Sequence, residues 1–223
     1  MRDSDIDRSL ELCRAAQWNQ VRADWEYFLI NSACLVAELN EQVVGTCAVL
    51  NSQGPRAWIA MMLVDPAARR QSIGTLLFEH ALALTTAPSI GLDATALGRP
   101  LYEKHSFEPT SQIVRWHRPP GPRGTPPAKP TSCSWRMGHL SDHIGPVLAN
   151  SVDEAANQVL TCLAANPARS WILDVPQLAD PAWHAWLEAT KFTPQRTFIR
   201  MYRGAAEAIT PDTYATSGPE FGP

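Results

Sequence analysis

Apolar positions change period several times along the chain, and each change marks an element. Over residues 19–30, Val21, Trp25, Phe28 and Leu29 recur at helical spacing, which puts them on one helix face. Residues 5–16 predict a helix before it, with Asp5 and Asn19 as the two N-caps. Residues 33–39 and 42–50 read as strands joined by Asn40 and Glu41, a two-residue hairpin turn. Turn residues fill 51–55. Residues 57–64 are then apolar throughout, the pattern of a strand covered on both faces. The predicted order is two helices and a three-stranded antiparallel meander.

Asp65 and Pro66 stop the third strand. Residues 69–75 lead into a helix whose apolar stripe is Ile73, Leu76, Leu77, Ala81 and Leu84. A short strand at 89–93, a short helix at 99–105 and a strand at 112–117 follow. Strand, loop, helix and strand make a crossover unit, right-handed in nearly all sheets.

Residues 118–131 carry six prolines and two glycines, the composition of a semi-rigid linker. The predicted division is 1–118, a linker over 119–132, and 133–223. The part beyond the linker echoes the part before it. At an offset of 85, Glu103, Phe107, Pro109, Arg115 and Arg118 fall on Glu188, Phe192, Pro194, Arg200 and Arg203. Gly91, Leu92 and Asp93 resemble Ile172, Leu173 and Asp174, at an offset a few residues smaller. The echo predicts an internal duplication.

Composition narrows the class. The chain has 223 residues, 45% hydrophobic and 18% charged, enough for a sizeable core in one large domain or two small ones. Net charge is −3, with 11 basic and 13 acidic residues up to Arg118 and 8 and 9 after it. Neither part is basic, which argues against a dedicated nucleic-acid binder. The longest apolar run, residues 57–64, is far short of a membrane span. The first residues are polar and acidic, without a signal-peptide pattern. Five scattered cysteines form no Cys-x-x-Cys pair, so neither structural zinc nor a disulfide framework is expected, and a reducing cytoplasm is. Six histidines show no metal spacing.

The chemistry concentrates in residues 62–77. An apolar strand ending at Met62, Leu63 and Val64 runs through a turn into a helix N-terminus. Backbone N–H groups there are unpaired, and the helix dipole adds partial positive charge, so the turn is an anion site suited to a pyrophosphate. Arg69 and Arg70 add charge-assisted donors. Gly74 allows close backbone approach. Gln71, Ser72, Ile73 and Thr75 complete the loop and first turn.

Arg69, Ser72 and Gly74 resemble the three defining positions of the acyl-CoA pyrophosphate loop in the GCN5-related N-acetyltransferases, with Ser72 where a glycine is usual. Residues 101–107, from Leu101 through Tyr102 and Lys104 to Phe107, resemble a second motif of that family, with His105 and Ser106 replacing an apolar residue and a glycine. The resemblance extends over residues 5–118. Residues 196–201 and 215–222 are similar to the end of a branch that carries a C-terminal acetyltransferase-like domain.

The resemblance implies an α/β (α+β) fold: a mixed twisted sheet flanked by helices in a catalytic domain, and a smaller degenerate half after the linker. It implies transfer of acetyl from acetyl-CoA to a primary amine of a small molecule by direct attack. A protein or peptide amine, or acyl-CoA binding without turnover as a sensor, are the alternatives. Backbone groups of Met62, Leu63 and Val64 would hold the pantetheine and polarise the acetyl carbonyl. Tyr102 would protonate the leaving thiolate, a reasonable task for a phenol. No carboxylate lies on the apolar strand. Asp93 is therefore the nearest candidate base, and Glu220 a second if the tail folds over the cleft. Trp18 and Trp25 either line an acceptor pocket or pack in the core. Leu187 stands where Tyr102 would recur, and residues 133–172 contain no second loop motif, so the second half is read as non-catalytic. No metal, nucleic acid or membrane is implied, and the expected state is a monomer or homodimer.

Overall fold

The structure, a computed structural model, describes residues 1–121 and 132–222. Most of the expected linker, 119–132, therefore lies outside the described residues. The chain forms two compact units, neither a continuous segment. One comprises Met1–Leu92, Pro100–Glu108 and Met201–Ala206, and the other Asp93–Arg99, Pro109–Arg200 and Glu207–Pro223.

The first unit opens with α1 (Ile6–Ala15) and α2 (Arg22–Asn31), followed by β1 (Ser32–Leu39), β2 (Gln42–Leu50) and β3 (Arg56–Val64). Next come α3 (Ile73–Ala83), β4 (Ser89–Ala94) and α4 (Arg99–Glu103). The sheet order is β1-β2-β3-β4, antiparallel up to β3 and parallel from β3 to β4. Asn40 and Glu41 both take positive φ, 50° and 62°, as a tight primed hairpin turn requires. Gly45 of β2 makes room for α3, since a Cβ there would meet Leu77 at 2.8 Å.

The second helix starts later than expected. Asn19 is buried before it, and the helix N-terminus is instead closed by the Asp24 carboxylate, which accepts the Val21 N–H at 2.8 Å. Asp5 does precede α1, but its side chain accepts the N–H of Arg2 rather than one of the helix.

The second unit draws β5 (Glu108–Arg118) from the first half of the chain. This strand starts four residues before the expected 112. It then contains β6 (Trp135–Arg136), β7 (Asp142–Ile144), β8 (Val147–Leu148), α5 (Val152–Ala165), β9 (Trp171–Pro176), α6 (Pro181–Ala189), most of β10 (Thr193–Arg203) and β11 (Thr213–Ala215). Its sheet runs β10-β5-β9-β7-β6, and β8 pairs with β11 separately. Trp116, Trp171, Leu173, Trp183, Leu187 and Phe192 belong to one buried cluster. Trp183 stacks on Trp186 at 4.9 Å. The end of β10, from Met201 on, belongs to the first unit.

One expectation fails here. Cys133 and Cys162 form a disulfide, with Cα atoms 6.3 Å apart, a separation within the ordinary bridging range. Linear spacing gave no hint, because the fold and not the sequence interval makes these two cysteines neighbours. Cys13, Cys34 and Cys47 are free. Among the described residues no helix is long and apolar enough to cross a membrane.

Candidate active site

Two departures from regular pairing shape the end of β3. On one edge, Thr46 faces Leu63 while Ala48 faces Ala60, so Met61 and Met62 together oppose Cys47 in a bulge. Met61 takes φ +54°, a sparse region for a side chain of its size, and its carbonyl accepts the buried Thr46 hydroxyl at 2.7 Å. On the other edge, the ladder to β4 covers only Arg56 to Trp58, opposite Ser89 to Gly91. Gly91 accommodates the edge-to-face rings of Trp58 and Tyr202, whose atoms lie 2.5–2.7 Å from where a Cβ would sit. Beyond that wedge β3 runs on to Val64 without a ladder to β4.

The turn after β3 is fixed by Asp65. Its carboxylate accepts the Ala67 N–H at 2.9 Å and the Arg8 guanidinium at 2.5 Å, while Arg8 Nε donates to the Val43 carbonyl. Arg69 Nε donates to the Val64 carbonyl at 3.3 Å. Arg70 and Ser72 both take positive φ, 62° and 61°. Ser72 is the N-cap of α3 but makes no side-chain capping bond, and the first turn carries no acid. Among the described residues no side chain caps the leading N–H groups of α3, which are open to solvent or a ligand. Gly74 sits over the end of the splayed strand, with the positions of Met62 and Val64 at 3.7 and 3.6 Å from a notional Cβ. Arg69, Arg70, Gln71 and Ser72 are exposed, and Ile73, Gly74 and Thr75 half-buried.

Tyr102, on α4, is buried at 7% exposure. Its ring lies 4.9 Å from Phe78 of α3 and 6.4 Å from Phe107. Its hydroxyl is not spent on a hydrogen bond to any described residue. Burial, with a smaller contribution from the Cys47 thiol, pushes the phenol above its ordinary pKa. Ser106 takes φ +64° in the turn after α4, the position where the motif usually has glycine.

The remaining sequence candidates lie elsewhere. Both carboxylate oxygens of Asp93 accept from Arg200, Nε and Nη2 each at 2.8 Å. Burial raises the Asp93 carboxyl above its usual range against the pull of that guanidinium. Glu220 is buried in the second unit and paired with Arg136, which also lies over the Phe221 ring at 4.7 Å. Trp25 is fully buried against Phe28, a core position. Trp18 is half-buried beyond α1.

Sequence reasoning missed the ionic centre of the second unit. Arg115 donates to both oxygens of the fully buried Asp174, at 2.8 and 2.6 Å, and His143 Nε2 lies 3.0 Å from the same carboxylate. Burial works against the charge on Asp174, but Arg115 and His143 together hold it well below the usual carboxylate range. The echo contained the signal: Arg115 and Arg200 are one counterpart pair, Asp93 and Asp174 the other.

The acetyltransferase (GNAT) domain description matches residues 31–109, and a second description of the same name matches residues 135–214. No curated protein matches the sequence significantly. The fold is similar to that of a putative acetyltransferase from Pyrococcus horikoshii, with TM-score 0.80 and 19% identity over 99% of this chain and 93% of that one. It is also similar to a tandem GNAT protein from the clavulanic acid biosynthesis pathway (0.67, 14%, 93% and 97%). A GCN5-related N-acetyltransferase from Sphaerobacter thermophilus is a third such structure (0.64, 14%, 96% and 96%).

Proposed function

Because the chain belongs to the GCN5-related N-acetyltransferase (GNAT) family, with two such domains in tandem, we propose that its first unit moves acetyl from acetyl-CoA to a primary amine of a small molecule. The observation that carries the reading is one continuous backbone path. A bulged strand loses its parallel neighbour at Trp58, and a turn with two residues at positive φ then delivers an uncapped helix N-terminus directly over that strand's end.

Each part has a task. The open edge of Met62, Leu63 and Val64 holds the pantetheine arm through backbone groups. The N–H groups of the α3 first turn, with Arg69 and Arg70, hold the pyrophosphate. A backbone N–H at the end of β3 stabilises the charge that develops on the acetyl oxygen, a donor typically worth ~3 kcal/mol. As the amine nitrogen bonds to the carbonyl carbon and the carbon–sulfur bond breaks, Tyr102 hands its hydroxyl proton to the departing thiolate and recovers one from water. Asp93 is not the base in this scheme, because Arg200 engages both its oxygens. The acceptor enters as free amine and releases its surplus proton to water. A net charge of −3 suits a cationic acceptor better than an acidic one.

The test is acetyl-CoA binding beside turnover. Millimolar acetyl-CoA should raise the melting temperature, since a ligand selective for the native state stabilises it. A panel of small amines should show CoA release. No thermal shift would overturn the reading. A shift with no turnover on small amines or on peptide N-termini would identify a binding protein instead.

A further inference from the structure

The two halves share a register that their sequences only hint at. Ala57 and Trp58 of β3 face Ile90 and Gly91 of β4. Asp142 and His143 of β7 face Trp171 and Ile172 of β9. Adding 85 to the first strand and 81 to the second converts one parallel ladder into the other, and both ladders end at the same step. The second unit therefore has its own splay, and Val147, Leu148 and Ala149 are the counterparts of Met62, Leu63 and Val64.

In the second unit that splay is filled by the chain itself. β11 pairs antiparallel with β8, Thr213 opposite Leu148 and Ala215 opposite Val147. The Ala149 N–H donates to the Asp212 carbonyl at 3.0 Å, and the Thr216 N–H donates to the Asp174 carbonyl of β9 at 2.8 Å. Trp183 Nε1 donates to the Tyr214 carbonyl at 3.1 Å. Tyr214, Ala215 and Thr216 are buried. Gly145 is required where the segment crosses, because any side chain there would collide with the Thr216 carbonyl. Beyond the crossing, Glu220 anchors the segment on Arg136.

The neighbouring helix end is closed as well. Ser151 Oγ accepts the Glu154 N–H at 3.2 Å, and the Glu154 carboxylate accepts the Asn150 N–H at 2.8 Å. Asp153 and Glu154 put two acids in the first turn of α5. A helix N-terminus so capped and charged repels a pyrophosphate, whereas that of α3 carries neither feature.

We propose that residues 212–216 are the resident ligand of the second unit: an extended peptide, bound in cis by strand addition, in the cleft whose counterpart in the first unit takes the pantetheine arm. The chain accordingly binds one acyl-CoA and not two. The counterpart assignment rests on the function proposed for Met62 to Val64, but the seating of the tail does not.

The experiment has three arms. Hydrogen exchange on the full chain should find the amides of Ala149 and Thr216, which donate to the Asp212 and Asp174 carbonyls, protected on the order of 100-fold or more over an exposed loop. Loop-like exchange there, with β9 still protected, overturns the proposal. Gly145→Ala should lower the melting temperature in the full chain and do so much less in a chain ending at Ile209. An equal loss in both would show that the glycine serves its own backbone and not the tail. If the shortened chain does not fold, the exchange arm decides alone. Titration of the full chain with acetyl-CoA should saturate at one equivalent, and two equivalents would overturn the proposal. No binding at all would overturn the function proposed for the first unit, while exchange still decides the tail.

Discussion

At the scale of single residues, the role proposed for Tyr102 sets two demands. Burial makes its phenol a weaker acid, yet the same dry surroundings raise the proton affinity of a departing thiolate. The raised pKa also keeps the hydroxyl protonated well past neutrality. Tyr102→Phe should lower turnover by about 10²–10⁴-fold and leave acetyl-CoA affinity nearly unchanged, because in the proposed mechanism the group acts only in the transition state. An unaltered rate where chemistry is limiting would remove Tyr102 from the mechanism. The sign of the shift sets the pH profile. The proton-bearing form is lost only above the ordinary value of 10.0, so the rate should climb as the acceptor amine deprotonates and should not fall between pH 8 and roughly 10. A fall with a midpoint near 8 would point to a different acid. Tyr102 could be nominated from the sequence because its motif is local, spanning Leu101 to Phe107. Asp93 and Glu220 were visible only as carboxylates. Their partners, Arg200 and Arg136, stand 107 and 84 residues away, and only the folded arrangement brings them together.

At the scale of elements, the meander, the crossover and the helix after the loop were all readable, because each carries its own period or turn signal. The start of α2 was misread because Asp24, inside the helix, reaches back to Val21 and does the work assigned to Asn19. Strands β6, β7 and β8, two or three residues each, are too short to show alternation. The loop before α3 was legible down to its strained position, for a serine in place of a glycine does take the left-handed conformation, at a cost of roughly 1–2 kcal/mol. In the proposed function the loop and helix terminus hold the pyrophosphate together, whereas the end of β3 holds the pantetheine arm. Arg70→Ala should therefore weaken binding of CoA clearly more than binding of pantetheine, which lacks the diphosphate, in parallel calorimetric titrations. Equal losses for the two would place Arg70 away from the phosphates.

At the scale of the whole molecule, the duplication shows in how charge is paired. Arg115 from the first half bonds Asp174 from the second, and Arg200 from the second bonds Asp93 from the first. Removing one partner of a buried pair typically costs 3–5 kcal/mol, against a total stability of about 5–15 kcal/mol for a native protein. A 1–118 fragment keeps Arg69 to Thr75 and Tyr102 but leaves both Arg115 and Asp93 unmatched. It should be insoluble or inactive when expressed alone, and a monomeric, fully active fragment would show the second half to be dispensable. The echo announced a repeat. It could not announce the exchange, because the same five identities would arise whether each arginine met its own half's aspartate or the other's. The exchange also dictates a timetable. The residues of the two pairs are 59 and 107 positions apart, so at about 5–20 residues synthesised per second Asp93 waits roughly 5–20 s for Arg200 to be made. From the synthesis of Phe107 onward the ribosome carries a first half that holds every motif residue, while β10, which supplies Met201 to Arg203 to the same unit, is still to be translated.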